Sequence, residues 1–236
     1  MTPTEISPGL VVNVSTPDLK LSDFKLIAFD MDSTLINIEC IDEIADAAGL
    51  KAEVAAITEA TMRGEIADFK ESLRRRVALL KGVSVASMNE VYQHRLKLNP
   101  GAAELVNACK QAGMKVLLVS GGFTFFADRV QAELGIDYIR ANVLEVENGL
   151  LTGKTVDQPW GDICDGAEKK KMLIETCAQL GINPLQAIAV GDGANDLPMM
   201  GVAGLSVAYH AKPKVREQAM VAINEGGLDR LLELLK

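Results

Sequence analysis

Short apolar runs alternate with segments of helical periodicity along most of this 236-residue chain. Three of the runs are typical of buried strands, namely Lys25–Phe29, Lys115–Val119 and Ala187–Val190. Helical patterns of ten or more residues follow or separate them, at about 101–112, 123–134 and 167–180. Strands that alternate with helices in this way predict an α/β fold with a doubly wound, mostly parallel sheet.

Residues 38–96 interrupt this alternation, because they carry helical patterns and no convincing strand. A first helix is predicted from apolar residues at i, i+3, i+4 and i+7 spacing, a pattern that ends at Gly49. Two further helices are predicted at about 66–81 and 84–96. We therefore expect a small all-helical cap inserted after the first strand.

Residues 143–157 alternate between polar and apolar positions, with a break at Asn148-Gly149 that favours a hairpin turn. This hairpin would form a flap beside the sheet. The predicted domains are an N-terminal extension at 1–22, a catalytic core at 23–37 plus 97–236, and the cap at 38–96. The extension fits an extra edge strand or an ordered tail, and the sequence leaves both open.

Composition excludes several classes of function. The net charge is -8, from 32 acidic and 24 basic side chains, which argues against nucleic acid as the main partner. No apolar stretch approaches the ~20 residues that span a bilayer. No Lys or Arg precedes Lys20, so the N-terminus lacks the pattern of a signal peptide. Four scattered cysteines without a C-x-x-C pair suggest reduced thiols, and we expect a cytoplasmic protein.

Asp30 and Asp32 follow the first predicted strand directly. Positions i and i+2 of a strand lie on one side, so both acids can face a single point. Two adjacent carboxylates are unfavourable unless a metal or a shared proton compensates them. Ligands of open α/β sheets also bind at the carboxyl ends of strands. The alternative is a turn in which Asp32 or Ser33 caps the next helix.

Further polar residues occur at strand ends or at the start of a helix, namely Ser120-Gly121-Gly122, Lys169–Lys171, and Asp192 with Asn195 and Asp196. Taken one at a time, the Ser-Gly-Gly segment fits a tight turn, the lysines fit a solvated surface, and the segment of Asp192 fits a helix cap. Jointly they supply what phosphoryl transfer needs: a carboxylate nucleophile, oxygen ligands for Mg²⁺, phosphate-binding N–H and hydroxyl groups, and a lysine charge.

Four segments together resemble the phosphatases of the haloacid dehalogenase superfamily, most closely the branch that acts on phosphoserine: Asp30–Thr34, Ile38–Ile44, Val119–Phe123 and Val190–Asp196. The resemblance covers residues 25–236 and implies a Rossmannoid core. It also implies Mg²⁺-dependent hydrolysis of O-phosphoserine to serine and phosphate through an aspartyl-phosphate, the last step of serine biosynthesis. The implied partner is this small-molecule substrate, with no nucleic acid and no membrane.

The resemblance assigns the catalytic and metal-binding roles to four acids. Asp30 would be the nucleophile and a metal ligand. Asp32 would be the general acid and base, and its backbone carbonyl would bind Mg²⁺. Asp192 would be the third ligand, and Asp196 would support the metal site.

The phosphate group would be bound by Ser120, Gly121 and Lys169. Lys169 is preferred to its two lysine neighbours because its spacing to Asp192 fits the family. Asn195 would contact the substrate from the same end of the pocket.

The cap would recognise the amino-acid part of the substrate. Glu39 would bind the amino group and Arg76 the carboxylate, while Met62 and Phe69 would close the pocket. Arg76 is preferred for its spacing to Phe69, and Arg74 stays an open alternative.

Two other functions remain as hypotheses. A related enzyme could hydrolyse another small phosphomonoester, or transfer the phosphoryl group to an alcohol such as homoserine. A receiver-type signalling module also has an acceptor aspartate, Mg²⁺ and a lysine on a parallel sheet. Such modules are about half this length and lack a helical insert, which argues against that class.

Overall fold

The computed structural model describes residues 3–14, 19–63, 65–66 and 68–235. Within those residues, nine strands form one sheet in the order β1-β2-β9-β8-β7-β3-β4-β5-β6. The strands are β1 Thr4–Ser7, β2 Leu10–Val12, β3 Leu26–Phe29, β4 Lys115–Phe123, β5 Tyr138–Glu147, β6 Leu150–Val156, β7 Ala187–Gly191, β8 Leu205–Tyr209 and β9 Val221–Ile223.

The α-helices are α1 Cys40–Ala47, α2 Lys51–Met62, α3 Phe69–Leu79, α4 Val85–His94, α5 Ala102–Gln111, α6 Thr124–Leu134, α7 Gly166–Leu180, α8 Leu197–Met200 and α9 Pro213–Gln218. Short 3₁₀ turns add Leu21–Asp23, Pro184–Gln186 and Leu228–Glu233.

The centre of the sheet is parallel. Strand β3 pairs in parallel with β4 on one side and with β7 on the other, and β8, β9 and β5 continue the parallel pairing outward. Ile27 and Phe29 pack into an apolar cluster on one face, and Leu26 and Ala28 pack into a second cluster on the other. Because both faces are covered, the prediction of a doubly wound, mostly parallel sheet is confirmed.

The hairpin is also present, and its first strand is longer than the sequence suggested. Strand β5 pairs with β4 through its first half and with β6, antiparallel, through its second half. Asn148 and Gly149 join β5 to β6 with φ angles of 52° and 78°. Left-handed conformations at both turn residues match the twist of a two-residue hairpin, which is why Asn-Gly favours it.

The N-terminal segment joins the sheet. Strands β1 and β2 form an antiparallel hairpin, and β2 pairs antiparallel with β9. The Arg230 guanidinium donates to Ser7 Oγ at 2.5 Å, to Glu225 O at 3.0 Å and to Pro8 O. Of the two possibilities for this segment, residues 4–12 therefore form edge strands.

Helices α1 to α4 lie between β3 and α5 without a regular strand among residues 40–63, 65–66 and 68–94. The chain leaves and re-enters the core at neighbouring points, since Ile36 bridges Leu98 and Asn37 N donates to Lys97 O at 3.0 Å. Helix α2 was not among the predicted helices. The domain boundaries themselves stay a prediction.

The cap touches the flap through the backbone. Gly82 N donates to Leu151 O and Leu151 N to Val83 O, both at 2.8 Å, and Val85 N donates to Gly149 O at 2.9 Å. The loop between α3 and α4 thus adds to the edge of the hairpin. None of the helices in the described part of the chain combines the length and the apolar character that a membrane span needs.

Candidate active site

Asp30 lies at the carboxyl end of β3, where residues 31–35 form an irregular turn. Asp30 is buried, and its Oδ1 accepts from Met31 N at 2.7 Å. Ser33 has a left-handed φ of 57°, which is uncommon for a residue other than glycine.

Asp32 faces the start of α1. Its Oδ2 accepts from Cys40 N and its Oδ1 from Cys40 Sγ, both at 3.1 Å. The capping alternative is therefore partly correct, because Asp32 binds the N–H of the first residue of α1. Burial and then the nearby Glu39 raise the pKa of Asp32 to about 7. A carboxyl group with this pKa can give and take a proton near neutral pH.

Lys169 lies in the first turn of α7, which begins at the N-cap Asp165. Its side chain is fully buried, and Nζ lies 2.7 Å from Asp30 Oδ1 and 2.6 Å from Asp196 Oδ1. Burial disfavours the charged lysine, but the two carboxylates outweigh that effect and raise its pKa. Lys170 and Lys171 are exposed, so among the three lysines only Lys169 reaches the acids.

Asp192 and Asp196 belong to the turn that follows β7. Asp196 Oδ2 accepts from Asp192 N at 3.2 Å and from Gly193 N at 2.9 Å, while its Oδ1 binds Lys169. Oδ2 of Asp196 thus holds the turn, and Oδ1 joins the turn to Lys169 on α7. Asp192 has a weaker contact, a 3.3 Å hydrogen bond from Thr34 Oγ1. Burial, then Asp196 and Glu39, raise the pKa of Asp192 to about 7.

These acids fit a divalent metal. One oxygen each from Asp30, Asp192 and Asp196 lies within 4.8 Å of the others. Burial and then Asp196 raise the pKa of Asp30 well above its ordinary value, although Lys169 opposes them. Three carboxylates around one ammonium leave an excess of negative charge that a cation would neutralise. An all-oxygen set suits a hard ion, and Asp30 and Asp192 offer the less engaged oxygens.

The end of β4 forms a loop for anion binding. Ser120 is fully buried, and its Oγ accepts from Gly122 N at 2.8 Å, which leaves the hydroxyl proton free to donate. A Cβ atom on Gly122 would lie 3.1 Å from Ser120 Oγ and 3.2 Å from Asp32 Oδ2. A side chain at this position would crowd both groups, so glycine lets the backbone lie close to them.

Asn142 supports this loop, and the sequence analysis missed it. The side chain is fully buried on β5, where Nδ2 donates to Gly121 O and Oδ1 accepts from Cys164 N, both at 2.8 Å. The one available signal was a polar residue between Ala141 and Val143 in an apolar run. A buried amide with both ends bonded fixes two loops relative to each other.

A cavity of about 330 Å³ lies between the cap and the end of the sheet. Nine predicted residues line it: Asp30, Asp32, Glu39, Phe69, Arg76, Ser120, Gly121, Asp192 and Asn195. Lys169 and Asp196 lie beneath them, fully buried. The lining also includes residues that were not predicted, among them Asp42, Thr58 and Lys212. The side chain of Met62 lies outside the described residues.

The two candidate arginines point to different places. Arg76 lines the cavity, whereas Arg74 forms an ion pair with Asp162 outside it. Phe69 packs over the anion-binding loop, since its Cζ would lie 3.1 Å from a Cβ atom on Gly121. Glu39 Oε1 accepts from Ser33 Oγ at 2.7 Å. The functional roles of these residues stay predictions.

Comparisons with known proteins agree with this geometry. The phosphoserine phosphatase of Polaromonas sp. (strain JS666 / ATCC BAA-500) is 84% identical over 236 residues, and that of Albidiferax ferrireducens is 74% identical, each over the full length of both chains. A solved structure described as a phospho-aspartyl intermediate analogue of phosphoserine phosphatase is 40% identical with a TM-score of 0.82. A substrate-bound phosphoserine phosphatase complex is 39% identical with a TM-score of 0.82.

Both solved structures are similar to 90% of this chain over 99% of their own length. A family model described as haloacid dehalogenase-like hydrolase matches residues 24–204. That range contains the acids at the ends of β3 and β7, the loop at the end of β4 and the buried lysine of α7. The chain therefore belongs to the haloacid dehalogenase-like hydrolase family.

Proposed function

We propose that this protein is a phosphoserine phosphatase, which hydrolyses O-phosphoserine to serine and phosphate in the last step of serine biosynthesis. The observation that carries the proposal is the pocket itself. The cavity brings carboxylates and an anion-binding loop of the sheet together with Glu39, at the start of α1, and Arg76, on α3. The two relatives at 84% and 74% identity, both named phosphoserine phosphatase, support the same substrate.

We propose Mg²⁺ as the metal, held by Asp30, Asp192 and the backbone carbonyl of Asp32, with Asp196 beneath. When bound, the ion would neutralise charge on the phosphate and on the carboxylates. Asp196 would hold the turn of Asp192, because its oxygens bind Lys169 and two backbone N–H groups.

In the first step, an Asp30 oxygen attacks phosphorus and the bond to the serine oxygen breaks, which gives an aspartyl-phosphate. Lys169 holds the carboxylate in position and favours its ionised form, with Nζ at 2.7 Å from Oδ1. The Ser120 hydroxyl and the Gly121 N–H would bind phosphate oxygens. Asp32 donates a proton to the leaving serine oxygen, because an alkoxide is a poor leaving group.

In the second step, the ionised Asp32 takes a proton from water as the water oxygen attacks phosphorus. The bond between phosphorus and Asp30 breaks, so phosphate leaves and the carboxylate is restored. The proton that Asp32 gained returns this group to its starting form. A pKa of about 7 for Asp32 suits both directions of transfer.

In the same cavity, Arg76 would bind the substrate carboxylate and Glu39 its ammonium. The Ser33 hydroxyl, 2.7 Å from Glu39 Oε1, would fix the orientation of this acid. Phe69 would cover the phosphate once the substrate is bound.

The test is release of phosphate from a panel of phosphomonoesters, with Mg²⁺ or with a chelator, and with or without an alcohol acceptor. We expect phosphoserine to have the highest kcat/KM, and chelation to abolish its turnover. A higher kcat/KM for another phosphomonoester, or net transfer to homoserine, would contradict the proposed substrate or reaction.

A further inference from the structure

Cys40 is a fully buried residue at the start of α1, and it has no role in the two catalytic steps. Its Sγ lies 3.1 Å from Asp32 Oδ1, and its backbone N–H donates to Asp32 Oδ2, also at 3.1 Å. A carboxylate oxygen only accepts, so the thiol is the donor in the first of these contacts. One residue thus engages both oxygens of the proposed general acid.

The two oxygens of Asp32 have different surroundings. A Cβ atom on Gly122 would lie 3.2 Å from Asp32 Oδ2 and 3.1 Å from Ser120 Oγ, so Oδ2 lies beside the anion-binding loop. Oδ1 contacts the buried thiol of Cys40. When Asp32 carries its proton on Oδ2, Oδ1 is a carbonyl oxygen and still accepts from the thiol. The thiol therefore favours a proton on the oxygen that lies beside the phosphate-binding loop.

The thiol also completes the orientation of this carboxyl group. The last torsion of an aspartate side chain has a broad energy profile, so a carboxyl group with one bonded oxygen can rotate. The N–H of Cys40 holds Oδ2 alone. With the thiol on Oδ1, two bonds define the plane of the group. Proton transfer depends on this geometry, because a small misplacement of a catalytic group lowers the rate.

Packing is the other role that a buried cysteine can have, since its side chain behaves as a small apolar group. Cys40 does belong to the larger apolar cluster of the core. A side chain that only fills space needs no polar partner, whereas the sulfur of Cys40 lies within hydrogen-bonding distance of a carboxylate oxygen. The contact with Asp32 therefore indicates a role beyond packing.

We propose that Cys40 is a positioning residue for the general acid: its thiol orients the Asp32 carboxyl group so that the proton on Oδ2 meets the leaving serine oxygen. This inference rests on the proposed function, in which Asp32 protonates that oxygen. The thiol neither gives nor takes a proton in the reaction. A serine alkoxide needs the proton from Asp32, whereas p-nitrophenolate leaves without one. The contribution of Cys40 therefore depends on the leaving group.

The test compares Cys40→Ala with wild type on phosphoserine and on p-nitrophenyl phosphate. For both substrates, kcat/KM covers the steps up to departure of the leaving group. We expect kcat/KM for phosphoserine to fall about fivefold, mainly through kcat, because one hydrogen bond that orients the acid is lost. For p-nitrophenyl phosphate, the decrease in kcat/KM should be less than about twofold, because its leaving group does not depend on the acid.

Cys40→Ser keeps a donor at the same position, so it should restore kcat/KM for phosphoserine to within about twofold of wild type. Cys40→Val fills the space without a donor and replaces Cys40→Ala if that variant does not fold. Cys109→Ala is the matched control, because Cys109 is equally buried in the same apolar cluster and lies on α5. It should leave the ratio of the two kcat/KM values unchanged.

Equal losses for both substrates in Cys40→Ala would overturn the inference, because the thiol would then act through packing. A folded Cys40→Ser that is no better than Cys40→Ala would also overturn it. If wild type does not hydrolyse phosphoserine, the proposed function fails and the inference falls with it. If wild type hydrolyses phosphoserine and Cys40→Ala has the same ratio of kcat/KM values as wild type, only the inference fails.

Discussion

Lys169 forms ion pairs with two buried carboxylates, those of Asp30 and Asp196. None of the three side chains is more than 7% exposed. Removing one partner of such a group normally leaves an uncompensated charge, which is strongly destabilising. Here a substitution at Asp30 still leaves Lys169 paired with Asp196, so the nucleophile can be tested without loss of the fold.

Asp30→Asn should lose turnover by on the order of 10³-fold or more, because an amide cannot form the acyl-phosphate. The thermal stability of the metal-free variant should equal or exceed that of wild type. The reason is that burial, Asp196 and Asp192 raise the pKa of Asp30, so its ionised form is unfavourable in the folded protein. Phosphate release and thermal melting measure both effects.

The variant must be checked by mass spectrometry, because deamidation would restore the acid. Near-wild-type turnover in a preparation free of deamidated protein would exclude Asp30 as the nucleophile.

Arg76→Lys should lower kcat/KM for phosphoserine. The expected loss of transition-state stabilisation is about 2–5 kcal/mol. Lysine cannot reproduce the planar, bidentate donor pair of a guanidinium. Hydrolysis of p-nitrophenyl phosphate should change little, since this substrate has no carboxylate. Arg74→Lys is the control, because Arg74 pairs with Asp162 outside the cavity. Equal losses for both substrates would mean that Arg76 stabilises the structure of the cap and does not bind the substrate carboxylate.

At the scale of elements, α3 connects the pocket to the core. Phe69 and Arg76 on this helix line the cavity. Lys70 and Arg74 on the same helix pair with Asp162, in the loop between β6 and α7, and the Lys70 distance is 2.7 Å. We call the pairs from Lys70 and Arg74 to Asp162 the α3 ion pairs. They tie the cap to the loop that leads into the helix of Lys169.

Asp162→Asn should weaken the α3 ion pairs and lower kcat/KM about two- to fivefold for all substrates, because partly exposed pairs contribute at most ~1 kcal/mol. The difference from wild type should shrink as salt concentration rises, since salt screens exposed charges. Steady-state kinetics at low and high salt give the measurement.

Glu71→Gln is the matched control for this prediction. Glu71 pairs with Arg75 within α3 and does not reach the core, so its loss should leave kcat/KM unchanged. A salt-independent loss in Asp162→Asn would show that Asp162 acts through loop structure and not through the ion pairs.

At the scale of the whole molecule, the buried acids set the pH dependence of stability. The pKa of Asp32 and that of Asp192 rise from 3.8 to about 7, mainly through burial. At pH values between 3.8 and about 7, the folded protein therefore binds more protons at these two acids than the unfolded chain does. This contribution to stability is complete at low pH and is lost as pH rises through about 7.

The melting temperature of the metal-free protein should fall by several degrees from about pH 5.5 to about pH 8, because about 1 kcal/mol shifts it roughly 2–4 °C in a chain of this size. Mg²⁺ should restore stability at the higher pH, since a ligand of the folded state alone stabilises it. Acids with lowered pKa values, such as Asp46 and Asp162, change their protonation state below this pH range and do not contribute to the expected decrease.

Asp192→Asn should flatten the pH dependence and weaken the response to Mg²⁺. A melting temperature that stays constant with pH in the presence of a chelator would contradict this account of the buried acids.

Local signals in the sequence determined much of this protein. The acids after β3 and β7 were predicted to lie near each other, because parallel strands end at one edge of a sheet. The Asn148-Gly149 turn was predicted because two left-handed residues are a local backbone requirement. The fold class followed from alternating patterns, which depend on neighbours along the chain. The resemblance to the superfamily rested on short contiguous motifs of the same kind.

Tertiary structure decided what depends on distant partners. Helix α2 has a weak pattern, since Val54 is the one buried residue among 51–61, and its position follows from packing. Strand β2 joins the sheet because β9, some two hundred residues away, offers an edge. Asn142 was missed because its partners belong to two other segments.

Packing against distant segments also gives different partners to similar residues that are close together in sequence. Three lysines at 169–171 have nearly the same local signal, and the direction of α7 brings one of them to Asp30. Arg74 and Arg76 differ by about 200° around α3, so one meets Asp162 and the other meets the cavity. Periodicity along a chain predicts which residues share a face, whereas packing determines what that face meets.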